Sequence, residues 1–240
     1  MMKVRAAVAI LVIGLGIAVY TPLVILSSPG PYHWRWALAR SWARFALRTL
    51  EVLCGLGYAV EGAEHFETGR PSIVFCKHQS AWETIAMIAI CPAHTWVLKR
   101  ELMWVPFLGW ALAVMRPAAI RRGTGRAAVV QVVEQGKRVM AAGRWLMIFP
   151  EGTRLPPFER RRFGVSGAVL ATETGAPIVP IAVNAGHFWP RKRLITRSGK
   201  VTVIIGPPIS PEGKTVEALN AEAKAWIDST MATIEPPPGD

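Results

Sequence analysis

The amino-acid sequence predicts an α/β fold, with a mixed, largely parallel sheet flanked by helices and an N-terminal two-helix membrane-docking motif. Three observations lead there. Residues 6–26 are an uncharged, mostly apolar run of 21 residues. Residues 34–54 repeat arginines and apolar side chains at the helical period. Beyond Gly55, short β-branched and aromatic runs alternate with stretches of helical period, the pattern of strands and the helices that cover them. With 240 residues and no Gly-, Ser- or Pro-rich linker, the chain reads as one large body. Its expected parts are a membrane-associated helix pair over residues 1–57, an α/β domain over 58–235, and a frayed, proline-rich tail over 236–240.

The apolar run stands behind Lys3 and Arg5. As a helix it would be roughly 31 Å long, close to the thickness of a bilayer's hydrocarbon core. A signal peptide has a shorter apolar region and a small-residue cleavage site, and neither is found here. Ser27-Ser28-Pro29-Gly30-Pro31 then turns the chain. In the second helix, at about 100° per residue, Arg40, Arg44, Arg48 and Glu51 share one face. Trp34, Leu38, Trp42, Phe45, Val52 and Leu53 lie largely opposite. Such a helix suits the membrane interface, arginines at the headgroups and aromatics toward the acyl chains; packing on the soluble domain is the alternative.

Strands are expected at residues 58–61, 73–76, 95–98, 118–120, 145–149, 178–183 and 201–205. Helices are expected to start near Ser80, Gly125, Gly164 and Thr215, with Gly143 as the stop of the second of these. In this class, sites form at the carboxyl ends of strands.

Lys and Arg total 28 against 16 Asp and Glu, a formal charge of +12, so anionic partners are favoured. An apolar fraction of 51% with ten Trp points to a membrane surface rather than nucleic acid, because the aromatics cluster in the membrane-like segments instead of on a base-stacking platform. The three cysteines, Cys54, Cys76 and Cys91, have neither an even count nor C-x-x-C spacing, which predicts a reducing compartment without disulfides. The five histidines show no metal-binding pair, so no metal is expected.

Three groups of residues can carry chemistry. His78 lies between the apolar run 73–76 and a helix opened by a capping box of Ser80 and Glu83. The positive end of a helix dipole disfavours a cation beside it, and a neutral imidazole can accept a proton. A carboxylate at Glu83 could take the N–H of one ring nitrogen and leave the other as a base, although a capping-box acid needs no function. The second group is Phe149-Pro150-Glu151-Gly152-Thr153-Arg154, directly after a buried strand: Gly152 lets backbone approach a ligand, and Arg154 offers a forked donor for phosphate. The third is Lys99, Arg100, Arg121 and Arg122, which also follow predicted strands and would converge on the same sheet edge.

The turn Lys77-His78-Gln79-Ser80-Ala81-Trp82-Glu83, the 149–154 block and the run Ile178-Val179-Pro180-Ile181-Ala182-Val183-Asn184, in that order, resemble the signature blocks of the bacterial 1-acyl-sn-glycerol-3-phosphate acyltransferase family. The likeness extends over residues 73–209, and the leading pair of helices resembles the family's membrane-docking helices. Glu83 stands where the family has Asp, and 117–122 lacks the usual Gly and aromatic; Arg122 aligns with that block's arginine, with Arg121 the alternative.

The resemblance implies transfer of a fatty acyl group from acyl-CoA or acyl carrier protein to the sn-2 hydroxyl of lysophosphatidic acid, giving phosphatidic acid without a cofactor. Glycerol 3-phosphate or a lyso-ornithine lipid as acceptor, or a non-catalytic lipid or carrier-protein binder, are the other readings. His78 would be the general base and Glu83 its orienting partner. Arg154, Arg122 and Lys99 would bind the substrate phosphate in a pocket shaped by Glu151, Gly152 and Thr153. The implied partners are membrane lipids and lysophosphatidic acid, with no nucleic acid, and the implied place is the cytoplasmic face of a bacterial inner membrane.

Overall fold

A computed structural model describes residues 1–121 and 125–235. Two long helices come first, α1 (Met2–Leu26) and α2 (Tyr32–Cys54), then β1 (Leu56–Glu61), β2 (Ile73–Cys76), α3 (Trp82–Ile90), β3 (His94–Lys99), α4 (Leu108–Val114) and β4 (Ala118–Ile120). The second half comprises α5 (Gly125–Ala141), β5 (Trp145–Ile148), α6 (Ser166–Thr174), β6 (Ile178–Val183), β7 (Gly199–Ile205) and α7 (Val216–Ile234). All seven expected strands are present, three with the expected ends and four with ends shifted by one or two residues. Helix α4 and three short 3-10 turns, at Ala63–Phe66, Arg100–Trp104 and Ala185–His187, are additions. Gly143, with φ 73°, stands just past α5, where only a residue free to turn left-handed ends a helix cheaply.

The strands form one sheet in the order β1-β7-β6-β2-β5-β3-β4. Every pairing is parallel except β6 with β7, so β1 and β7 run against the other five. Alternation along β2 sorts the two covering layers: Ile73 and Phe75 enter the core beneath α5, α6 and α7, while Val74 and Cys76 face the core beneath α2 and α3. Central strands β2, β5 and β6 are buried at every position, as expected for a sheet covered on both faces.

The two N-terminal helices pack on each other. Gly16 admits Trp42 and Phe45, and Trp42 Nε1 donates to the Ile13 carbonyl at 3.4 Å. Helix α1 buries Ala6, Ala9, Ile13, Gly16, Thr21 and Val24 along its length and exposes the opposite stripe. On α2, Arg44, Arg48 and Glu51 stay exposed, and so do Trp34, Phe45 and Val52. Arg40 departs from the expected polar face: it turns inward and donates to the carbonyls of Ile88 and Cys91 at the end of α3. There it satisfies carbonyls that the end of a helix leaves without intrahelical partners.

Candidate active site

Strands β6, β2, β5, β3 and β4 end on the same edge of the sheet, and the chain leaving β2 there places His78. Its Nδ1 is 2.8 Å from Glu83 Oε1. The same oxygen accepts the backbone N–H groups of Gln79 at 2.8 Å and Ser80 at 2.6 Å. An ionised carboxylate can only accept, so Nδ1 carries the ring proton and Nε2 presents its lone pair. Glu83 is fully buried, and the imidazole keeps 13% of its surface exposed.

The capping box forms only in part. Glu83 does take the Ser80 N–H, but the helix starts at Trp82, and Ser80 Oγ accepts from the Trp82 N–H at 3.1 Å instead of from Glu83. The box is shifted because Glu83 also serves the Gln79 N–H and the imidazole, which pulls the turn tighter than a plain cap.

The neighbouring strand β5 delivers the 149–154 block beside this turn. The Phe149 ring stacks on the imidazole with centroids 3.9 Å apart and planes 19° from parallel. Gly152 N–H closes a turn onto the Phe149 carbonyl at 3.0 Å, with Gly152 itself at φ 70°. Leu155 N–H donates to the His78 carbonyl at 2.8 Å, which binds the block directly to the histidine turn.

Glu151 and Lys77 form a pair the sequence did not announce. Lys77 Nζ is 2.9 Å from Glu151 Oε1, both side chains buried, and it also donates to the Glu159 carbonyl at 3.2 Å. Burial raises the Glu151 carboxyl above its ordinary value, although Lys77 and then His78 pull it the other way. The signal was a lysine directly after a buried strand, a place where a cation needs a partner. Naming that partner required the parallel pairing of β2 with β5.

Of the candidate phosphate ligands, Arg154 is half-buried and its carbonyl accepts from Arg191 at 3.2 Å. Gly152 is exposed and Thr153 half-buried beside it. Lys99 ends β3 on the same edge, half-exposed and 3.6 Å from Glu101. Arg121 follows β4, exposed, while Arg122 and the 236–240 tail lie outside the described residues. Among the described residues, no group of three or more His, Cys, Asp or Glu could hold a metal ion. All three cysteines are buried. Burial pushes the Cys76 thiol well up, and the neighbouring Glu83 carboxylate adds to that, so Cys76 is a poor nucleophile.

A second network also went unforeseen. Glu235, at the end of α7, accepts from Gln79 Nε2 at 2.9 Å, from the Phe158 N–H at 3.1 Å and from Arg160 at 2.7 Å. No local pattern links Gln79 to a residue 156 positions away.

Comparison with known proteins places the chain among its relatives. A family model described as Acyltransferase matches residues 57–184. The chain is 40% identical over 202 residues to a 1-acyl-sn-glycerol-3-phosphate acyltransferase of Pseudomonas aeruginosa, covering 83% of this chain and 78% of that protein. It is 30% identical over 198 residues to 1-acyl-sn-glycerol-3-phosphate acyltransferase alpha of Homo sapiens, covering 80% and 68%. In fold it is similar to the crystal structure of the 1-acyl-sn-glycerophosphate (LPA) acyltransferase PlsC from Thermotoga maritima, with a TM-score of 0.81 over 98% of both chains at 22% identity. The histidine turn, the 149–154 block and these relationships together make the chain a member of the 1-acyl-sn-glycerol-3-phosphate acyltransferase family.

Proposed function

We propose that the protein transfers a fatty acyl group from a thioester donor to the sn-2 hydroxyl of lysophosphatidic acid, forming phosphatidic acid. One observation carries the reading: His78 held by Glu83 at 2.8 Å, with Nε2 left for a substrate at the edge where the 149–154 block lies. Nε2 takes the proton of the sn-2 hydroxyl as its oxygen attacks the thioester carbonyl. The carbon–sulfur bond breaks, and the imidazolium returns its proton to the departing thiolate. Buried Glu83 steadies the transient imidazolium and fixes the tautomer, while Phe149 stacked on the ring limits its rotation. The buried cysteines favour direct transfer over an acyl-enzyme.

Arg154 gives a forked cation at the same edge, suited to the acceptor's phosphate, with Lys99 and Arg122 as further cations and Gly152 and Thr153 lining the approach. Glu151 supports this wall from within, through its pair with Lys77. The acceptor's chain stays in a bilayer, so the enzyme works at a membrane surface. The apolar α1, with a mean hydropathy of 2.5, supports that placement; the three free cysteines suit a reducing, cytoplasmic side, and the likeness to a Pseudomonas aeruginosa enzyme suits a bacterial inner membrane. α2 runs beside α1 and carries Arg44, Arg48 and Glu51, charges that suit a helix lying in the interface rather than one crossing it.

The test is phosphatidic acid formation by purified protein. His78→Ala should lose about 10² to 10⁴ in rate or more, and Glu83→Gln should fall by a comparable factor with little change in the acceptor's KM. Wild-type turnover in His78→Ala would end this mechanism. Arg154→Ala should raise the KM for lysophosphatidic acid about 10- to 100-fold, in line with losing a charge-assisted hydrogen bond. An unchanged KM would remove Arg154 from phosphate binding.

A further inference from the structure

Beyond Lys99, one short segment holds large apolar side chains out in solvent. Leu102, Trp104, Val105, Phe107 and Trp110 are 41%, 72%, 41%, 44% and 52% exposed. Single exposed apolar residues are ordinary, but a contiguous group of this kind marks a contact surface. The backbone is built to hold it there. Phe107 has φ 61° and ψ −60°, and the Leu108 N–H donates to the Pro106 carbonyl at 2.7 Å, a γ-turn of the rare, strained kind. The turn brings the Phe107 and Trp110 rings to 5.1 Å from each other.

The occupant of this surface follows from what it adjoins. The Thr21 hydroxyl of α1 donates to the Phe107 carbonyl at 3.3 Å, so the turn is fastened to the most apolar helix of the chain. That helix also exposes Val8, Leu11, Leu15, Val19 and Leu23 at three- and four-residue spacing, an apolar stripe on a different face from the one that carries Thr21. Exposed cations, Lys99 and Arg100 on one side and Arg116 on the other, flank the aromatic group. Tryptophan and phenylalanine flanked by lysine and arginine, on a turn fastened to an apolar helix, are the composition of a membrane–water interface.

We propose that residues 102–110 form a second membrane contact, seating Trp104, Phe107 and Trp110 at the boundary of headgroups and acyl chains of an anionic bilayer. The proposal rests on the reading of α1 and α2 as a membrane-docking pair. The segment leaves β3 at the carboxyl edge, directly after Lys99. Its depth in the lipid therefore sets the height at which the His78 edge meets the headgroups.

The test uses the full chain with an environment-sensitive fluorophore on Trp104→Cys. The three native cysteines are buried, so labelling is selective. A control carries the label on Glu212→Cys, an exposed position on the connection leading to α7. With phosphatidylcholine–phosphatidylglycerol vesicles, the Trp104→Cys label should shift to the blue and be quenched by lipids brominated in the acyl chain, while the control should do neither. Trp104→Ser combined with Trp110→Ser should weaken vesicle binding at least about tenfold, since each ring buries large apolar area. The wild-type Tm should be kept, because both rings are exposed.

Binding to vesicles with no shift or quenching at position 104 would overturn the second contact and leave the helix-pair docking intact. Failure of the wild type to sediment with vesicles would overturn both. A label already shielded in lipid-free protein, together with a dimer by light scattering, would reassign the patch to self-association.

Discussion

Oε1 of Glu83 serves three donors at once, the imidazole and the backbone N–H groups of Gln79 and Ser80. The arm of Glu83 reaches all three donors from the second residue of a helix that begins only at Trp82. Lys77, one residue earlier, supports the other wall through Glu151. Replacing Lys77 by Met leaves a buried carboxyl without its cation, at a cost of about 3 kcal/mol or more. The pH dependence has a definite sign. Glu151 already has a raised carboxyl, and loss of Lys77 raises it further. A group raised in the folded state favours folding at low pH and disfavours it as pH rises through that folded value. The Tm deficit of Lys77→Met should therefore be larger at pH 8 than at pH 5. An equal deficit at both would mean that Glu151 does not lie in the buried pair.

At the level of elements, the site depends on how closely α6 sits against the paired strands β2 and β5. A Cβ at Gly167 would stand 2.3 Å from Phe75 Cε1 and 3.0 Å from Ile148 Cδ1. Both neighbours lie just before the segments carrying His78 and the 149–154 block. Gly167→Ala gains up to about 1 kcal/mol in helix propensity, and overpacking costs about 1–3 kcal/mol. The expected result is a lower urea midpoint at an unchanged m-value, with weaker turnover because Phe75 must move. A variant more stable than wild type would show that α6 can draw back freely. Arg40 teaches a related lesson about α2: a wheel drawn from sequence assigns faces to a lone helix, but the neighbouring α3 decided where this arginine bonds.

For the molecule as a whole, the end of α7 closes the structure onto its site. Glu235 joins Gln79, the Phe158 N–H and Arg160, and His187 Nε2 stands 3.5 Å away. Burial alone would raise this carboxyl, but the nearby His187 together with the hydrogen bonds from Arg160, Phe158 and Gln79 outweighs it and brings it to about 2. Arg160 also meets Asp228 at 3.5 Å, and Lys224 pairs with that aspartate. A depressed carboxyl contributes stability above its unfolded value, and that contribution fades as pH falls through the folded one. Glu235→Ala should therefore be less stable than wild type at pH 7 by about 2–3 kcal/mol, with the gap narrowing from about pH 4.5 toward 2. Urea unfolding at pH 7, 4 and 3 measures this, and a gap independent of pH would disprove the charge's role. Local pattern in the sequence determined the type and order of the strands, the helix starts at Gly125 and Thr215, the membrane-like first helix and the spacing of His78 and Glu83, because each rests on residues within a few positions of one another. Tertiary structure alone decided that Phe149 lies on the imidazole, that Lys77 meets Glu151, that β1 and β7 run against the other strands, and that Glu235 reaches Gln79 across 156 positions. Those contacts depend on which strands pair and where a distant helix ends, and a hydrophobic period carries no record of either.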